Sequence, residues 1–280
     1  MLNKKQMLKY AVALSPLPTG LCRSGSFKKK IKCILFDIYG TLFISGSGDI
    51  SISKEESTET DNLKELLIKF KIRKTPEDIL NALFTTIDKE HEKLKKQGID
   101  FPEVEIDRIW MSILKNNDSV VVKEFAAMFE MIANPVCPMP NLNEMLYVCK
   151  KSKVLMGIIS NAQFYTPYLF EWFLDSNLRE LGFHPDLTMF SYKSGHAKPS
   201  PFMFQSAAEK LKSLDIPAES TLYIGNDMLN DIYPAEKVGF KTALFAGDAR
   251  SLRLRKNSPE CKNLSPDLVI TDLIQLLEYI

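Results

Sequence analysis

The spacing of apolar positions changes character along the chain. Five of the six residues from 31 to 36 are apolar or cysteine, the pattern of a strand buried on both faces, and the run ends on Asp37 and a Gly40-Thr41 turn. From about residue 61 to 133 the spacing becomes helical: Leu63, Leu66, Leu67 and Phe70, then Ile79, Leu80, Leu83, Phe84 and Ile87 behind Thr75-Pro76, an N-cap followed by a first-turn proline. Residues 103–114 and 119–132 repeat the theme, which predicts three or four amphipathic helices. Trp110, Met111, Phe125, Met128, Phe129 and Met131 read as their shared core.

Three prolines within residues 134–141 mark a return linker. Beyond them, helix and strand patterns alternate. Asn141 caps a helix over 142–150, 154–159 is a strand, and 187–190 is a short strand. Ser200-Pro201 opens a helix to 214, 221–224 is a strand, and 231–238 is a helix. Residues 242–245 and 268–270 are strands, and a helix over 272–279 closes the chain. The expected fold class is α/β, a Rossmann-like parallel sheet with helices on both faces, with an all-helical unit inserted after the first strand. The expected division is an N-terminal extension (1–30), an α/β core (31–46 and 138–280) and a helical insert (47–137).

Composition narrows the function. With 36 basic and 35 acidic side chains in 280 residues, no global charge attracts nucleic acid or an anionic membrane. Five scattered cysteines without C-x-x-C spacing read as reduced thiols. The apolar patch 10–14 is too short for a signal-peptide core, and no run is long enough to span a bilayer, so a cytoplasmic protein is expected. The lysines at 28–30 and 32 read as a solvated strand entrance, and Gly46 and Gly48, separated by Ser47, as a hinge or substrate loop.

Three strands end in polar groups: Asp37, Ser160-Asn161 and Gly225-Asn226-Asp227. Ligands of open parallel sheets bind beyond the carboxyl ends of the strands, so these groups converge on one crevice, with Lys198 arriving just before a helix. Asp37, Asp227 and Asp231 crowded there would repel one another unless Lys198 and a hard divalent cation offset them. His196 sits in a polar loop and is not taken as an acid or base, while Arg250, Arg253 and Arg255 read as a solvated face.

Residues 37–42 (DIYGTL), 158–162 (IISNA), the lysine of AKPSPFMF and IGNDMLND, in this order, resemble the four motifs of the haloacid dehalogenase superfamily, and the helical insert is similar to that family's cap. The resemblance implies Asp37 as nucleophile, the Ser160 hydroxyl holding the transferring group, and Lys198 steadying both. It implies Mg2+ as cofactor, held by Asp37, the Tyr39 backbone carbonyl and Asp227, with Asp231 in support, although Asn226 fits the first acidic position of the last motif as well. Tyr39, Gly40, Thr41 and Asn161 would line the substrate. The implied activity is hydrolysis of a small phosphorylated metabolite through an aspartyl-phosphate.

One position departs from the phosphatase pattern: Tyr39 stands where most of that branch carry a second aspartate as general acid and base. A phenol with a reference pKa of about 10 is a poor general base near neutrality. The D-x-Y-G-T-L form instead resembles the 2-haloacid dehalogenase branch, whose halide leaving group needs no proton. That branch usually lacks acidic metal ligands at the last motif and needs a carboxylate clamp, and the insert offers only Arg73 and Arg108. A slow phosphohydrolase, a dehalogenase and a catalytically weak binding protein therefore all remain open.

Overall fold

The computed structural model describes residues 2–27, 30–46 and 57–280. Lys28, Lys29 and Gly48, invoked above for the strand entrance and the hinge loop, lie outside the described residues. In chain order the first elements are α1 (Lys4–Leu8), β1 (Ser24–Gly25), β2 (Cys33–Phe36) and β3 (Phe43–Ser45). The helical layer follows with α2 (Ser57–Lys69), α3 (Pro76–Lys96), α4 (Ile106–Leu114) and α5 (Ser119–Ala133). The chain returns through β4 (Val136–Pro138), α6 (Leu142–Lys151), β5 (Leu155–Ser160), α7 (Thr166–Leu174), α8 (Leu178–Leu181) and β6 (Phe183–Phe190). It ends with α9 (Ser191–Ser194), α10 (Phe202–Ser213), β7 (Thr221–Gly225), α11 (Tyr233–Lys237), β8 (Lys241–Phe245) and β9 (Leu268–Ile270).

Seven strands form one sheet in the order β1-β9-β8-β7-β2-β5-β6, parallel throughout except for the edge strand β1. Alternation along each central strand builds the two layers. Ile34 and Phe36 of β2 and Leu222 and Ile224 of β7 face one apolar cluster, which continues into α6 and the helical layer. Cys33, Leu35 and Tyr223 face the other, filled by Met203, Phe204, Ala207 and Leu211 of α10. Helices on both faces thus follow from strands apolar on both faces.

The helical layer has its own aromatic centre: Trp110 packs against Phe125 and Phe129 with ring centroids 4.9 and 4.8 Å apart, and Phe70 meets Phe125 at 5.3 Å. Thr75 closes a reciprocal capping box with Asp78 and starts α3 where Pro76 required. The two connections between layer and sheet run antiparallel as β3 and β4, pairing Phe43 with Pro138 and Ser45 with Val136.

Several local expectations are corrected. Asn141 does not cap α6; it adopts φ 62° and its side-chain amide donates to Asp272 at 2.8 and 3.0 Å. Strand β6 begins at Phe183, four residues before the apolar pattern, because an edge strand tolerates the polar and proline residues His184, Pro185 and Asp186. The expected helix over 231–238 is a single wide π turn (Met228–Ile232) followed by the short α11, and the closing segment Leu273–Tyr279 is a 3-10 helix.

The N-terminal extension is built into the fold. Met7 is fully buried beneath the helical layer, β1 pairs with β9, and the Leu17 amide donates to Asp248 Oδ1 at 3.0 Å. No helix among the described residues is long and apolar enough to cross a membrane.

Candidate active site

The site lies where β2, β5 and β7 end side by side. The loop after β2 is tight: the amides of Leu42 and Phe43 both donate to the Ile38 carbonyl at 2.9 Å, and the Gly40 amide donates to the Phe43 carbonyl at 2.6 Å. Gly40 sits at φ 80°, and a Cβ there would lie 2.8–2.9 Å from the Asn226 amide group, so only glycine lets the two strand ends approach. This turn holds Asp37 at the mouth of β2 with 5% of its surface exposed.

Around Asp37 the charges are paired. The Lys198 ammonium donates to Asp37 Oδ1 at 2.6 Å, to Asp231 Oδ1 at 2.5 Å and to the Tyr223 hydroxyl at 3.2 Å. All three of its protons are therefore placed. The Ser160 hydroxyl donates to the same Asp37 Oδ1 at 2.9 Å. Asp37 Oδ2 meets only the Thr41 hydroxyl, at 3.5 Å, a long contact that leaves this the less engaged of the two oxygens. Burial opposes the charge on Lys198, but the Asp231 and Asp37 carboxylates outweigh it and push its pKa up to about 12. Burial raises the Asp231 carboxyl above the usual range, with Lys198 opposing. Gly225 makes room for that carboxylate, which a Cβ at this position would meet.

Asn161 positions Lys198 through its backbone, accepting from the Lys198 amide at 2.7 Å and donating to its carbonyl at 3.3 Å. Tyr39 points away from Asp37 to Thr166, with 2.9 Å between their hydroxyl oxygens. Burial, aided by the Glu130 and Asp37 carboxylates, raises its phenol far above the ordinary value, and the Thr166 hydrogen bond only partly offsets this. Tyr39 is a neutral hydroxyl.

A cavity of about 320 Å³ opens above Asp37. Its floor is Asp37, Lys198, Asn226 and Asp231, and its far side carries Glu103, from the segment before α4, and Glu130, from the last turn of α5. A haloacid dehalogenase-like hydrolase family model matches residues 31–239. The chain belongs to this family of hydrolases. It is 28% identical over 255 residues to the glyceraldehyde 3-phosphate phosphatase of Pyrococcus furiosus, covering 90% of this chain and 94% of that one. Among solved structures, the 2-haloacid dehalogenase from Pseudomonas syringae pv. Tomato DC3000 superposes with a TM-score of 0.56 at 20% identity, covering 89% of this chain and 97% of that one. A HAD phosphatase from Thermococcus onnurineus gives a TM-score of 0.51 at 16% identity over 89% of this chain and 97% of that one. These structures share the fold.

In this haloacid dehalogenase-like hydrolase the four motif segments meet as one cluster, but the last contributes unevenly. Asp227 caps the π turn by accepting from the Leu229 and Asn230 amides, and both its oxygens are engaged by the Arg255 guanidinium at 2.6–3.1 Å. Asn226, one residue earlier, turns to the Asp37 loop: its Oδ1 accepts from Thr41 at 3.1 Å and its Nδ2 donates to the Ser251 carbonyl at 2.6 Å. The amides of Gly40 and Thr41 are spent within the turn.

Five participants were not anticipated from the sequence. Tyr223 looked like strand core, and its only signal was a hydroxyl in the middle of an apolar run. Arg255, read above as part of a solvated face, instead clamps Asp227, and Arg253 also lines the cavity. Glu103 and Glu130 each looked like an ordinary helix-flank acid.

Proposed function

We propose that this hydrolase is a phosphohydrolase acting on a small phosphate ester through an aspartyl-phosphate at Asp37. The observation that carries the reading is the division of labour at that carboxylate: Lys198 and Ser160 hold Oδ1, and Oδ2 keeps only the long Thr41 contact. An oriented carboxylate of this kind forms a covalent ester and splits one hard displacement into two. The Ser160 hydroxyl and the Lys198 ammonium are placed to meet charge growing on the phosphoryl oxygens. The phosphatase relative supports the substrate class, and a cavity of about 320 Å³ suits a metabolite of triose-phosphate size.

In this reading the helices of residues 47–137 are a cap over the core formed by 31–46 and 138–280, and residues 1–30 are an extension strapped to that core. Asn161 acts mainly by fixing Lys198, while Tyr39, Gly40 and Thr41 shape the substrate-facing turn. The oxygens of Asp37 Oδ2, the Tyr39 carbonyl and Asn226 Oδ1 are the donor type a hard divalent cation takes, although no cluster of three or more acidic, cysteine or histidine side chains gathers around one point among the described residues. Mg2+ held by these oxygens would supply neutralisation of phosphoryl charge. The Arg255 pairing favours Asn226 over Asp227 as the ligand, with Asp231 acting in support through Lys198.

Dehalogenation is the second reading, favoured by Tyr39. Against it stand Glu103 and Glu130, which line the same cavity and would face the carboxylate of a haloacid. A third reading, a catalytically weak binding protein, predicts no turnover at all. Phosphate release from a panel of phosphate esters and chloride release from 2-chloropropionate, each with Mg2+ and with a chelator, separate the three. Chelator-sensitive phosphate release is expected; inertness toward even 4-nitrophenyl phosphate would sink the phosphohydrolase reading.

A further inference from the structure

The reaction proposed above lacks a proton carrier. An alkoxide leaves phosphorus poorly unless it is protonated as it departs, and the water that cleaves the aspartyl-phosphate must lose a proton. Tyr39 does neither, because its phenol is held to Thr166 and burial keeps it neutral. His196, the histidine nearest Lys198 in the chain, is stacked on Phe202 at 4.2 Å and does not line the cavity.

Glu130 is differently placed. It lines the same cavity as Asp37 and comes from the helical layer. Its carboxyl is held by two donors, Oε2 accepting from the Tyr165 hydroxyl at 2.9 Å and Oε1 from the Asn134 amide at 3.2 Å, and Asn134 is itself fixed by accepting from Ser45 at 2.8 Å. These partners come from the start of α7, the exit of α5 and β3, so the carboxyl is oriented from both sides of the cavity. No lysine or arginine pairs with it among the described residues. Burial raises its pKa, with the Tyr165 and Asn134 hydrogen bonds opposing. The titratable groups sharing this cavity are Tyr39, Tyr165, Glu103, Asp37, Asp227 and Asp231, with Lys198, Arg253 and Arg255 as its cations; Lys198 is paired to Asp37 and Asp231 and Arg255 to Asp227. A buried carboxyl without a counter-cation is a cost to folding that two neutral donors offset only in part.

We infer that Glu130 is the general acid and base of this enzyme, a catalytic residue supplied from the helical layer instead of from the loop of the nucleophile. This rests on the phosphohydrolase reading. In the first half-reaction Asp37 Oδ2 forms a bond to phosphorus, the bond from phosphorus to the leaving oxygen breaks, and the Glu130 proton passes to that oxygen. In the second half-reaction water attacks phosphorus, Glu130 takes the water proton, and the bond between phosphorus and Asp37 breaks. Phosphate leaves and both carboxyl groups return to their starting states. The net change is one ester and one water to one alcohol and one phosphate.

The test compares Glu130→Gln with the wild type on two esters. Glycerol 3-phosphate leaves as an alkoxide and needs the proton, whereas 4-nitrophenyl phosphate leaves as a stable phenolate and does not. For Glu130→Gln, kcat/KM with glycerol 3-phosphate is expected to fall about 10²- to 10⁴-fold, the usual worth of general acid catalysis, and with 4-nitrophenyl phosphate to fall less than about tenfold. Because the second half-reaction also loses its base, the variant is expected to release a burst of one nitrophenolate per site and then turn over slowly. The ratio of the two kcat/KM values within one preparation does not depend on the fraction folded, so partial misfolding cannot imitate the result. Reintroducing an acid with Tyr39→Asp in the Glu130→Gln background is expected to restore glycerol 3-phosphate turnover. Equal losses with the two esters, or no loss, would overturn the role of Glu130 and leave the phosphohydrolase reading standing. A wild type inert toward both esters would remove the two together.

Discussion

The floor and the roof of the cavity are built on opposite electrostatic plans. On the floor the carboxylates have ionic partners: Lys198 serves Asp37 and Asp231, and Arg255 serves Asp227. On the roof Glu103 and Glu130 are satisfied by neutral donors alone, Ser191 and Gln163 for one, Tyr165 and Asn134 for the other. Pairing fixes charge in place, which is what a nucleophile and its anion-stabilising neighbours need. Neutral donors around a buried carboxyl leave its proton exchangeable. The floor is suited to holding charge and the roof to moving a proton.

The strongest way to break this contrast is at Asp37, the proposed nucleophile. Asp37→Asn is expected to lower phosphatase kcat on the order of 10⁴-fold or more while the circular dichroism spectrum stays native, because Lys198 keeps Asp231 as partner. Retained turnover would place the chemistry elsewhere. Next is Lys198→Met, which strands two buried carboxylates and is expected to cost about 3–5 kcal/mol in urea unfolding, the range for breaking a buried pair from one side. The deficit should grow from pH 5 to pH 8. Burial already raises the Asp231 carboxyl, so without its cation the native state binds protons that the unfolded state has lost, and stability falls as pH rises.

Ser160→Ala removes one donor to Asp37 Oδ1 and is expected to cost about 10²-fold in kcat with KM little changed, read from steady-state kinetics. The smallest effect is also the most diagnostic. Burial holds the Glu130 carboxyl above the ordinary glutamate value, so its native form binds more protons than its unfolded form between those two values. Its contribution to stability is therefore lost as pH rises through that window. The Tm of Glu130→Gln, which cannot ionise, should fall less than that of the wild type as pH rises through that window. A variant less stable at every pH would mark Glu130 as structural cement.

The same division decides what the sequence discloses. Asp37, Ser160 and Lys198 are legible because each follows a strand or precedes a helix, and the topology of a parallel sheet alone brings such positions together. Asn226 and Asp227 show the limit of that legibility. Both follow β7, and which of two adjacent side chains turns toward the Asp37 loop depends on Gly40 and Arg255, which are 186 and 28 residues away from Asn226 and Asp227 respectively. The roof was unreadable for a related reason. Glu130 lies between Phe129 and Met131 in a helix whose apolar pattern marks the packing face but not the direction of the one acid, and its role depends on how α5 lies over β2 and α7. The aromatic centre of the layer, by contrast, was visible from spacing because packing within one helical unit follows local periodicity.

The extension ahead of β2 also bears on the behaviour of the whole molecule. With β1 paired to its outer side, β9 does not offer a row of free amides and carbonyls at that stretch. A bare strand edge is a template on which another copy can add, so this short antiparallel pairing guards the chain against edge-to-edge polymerisation. The same strap reaches Asp248 through the Leu17 amide and Arg250 through the Ser15 carbonyl, so the guard is tied to the loop that presents Arg253 and Arg255 to the cavity. One short extension thus covers a strand edge and braces a cavity-lining loop with residues that carry no chemistry of their own.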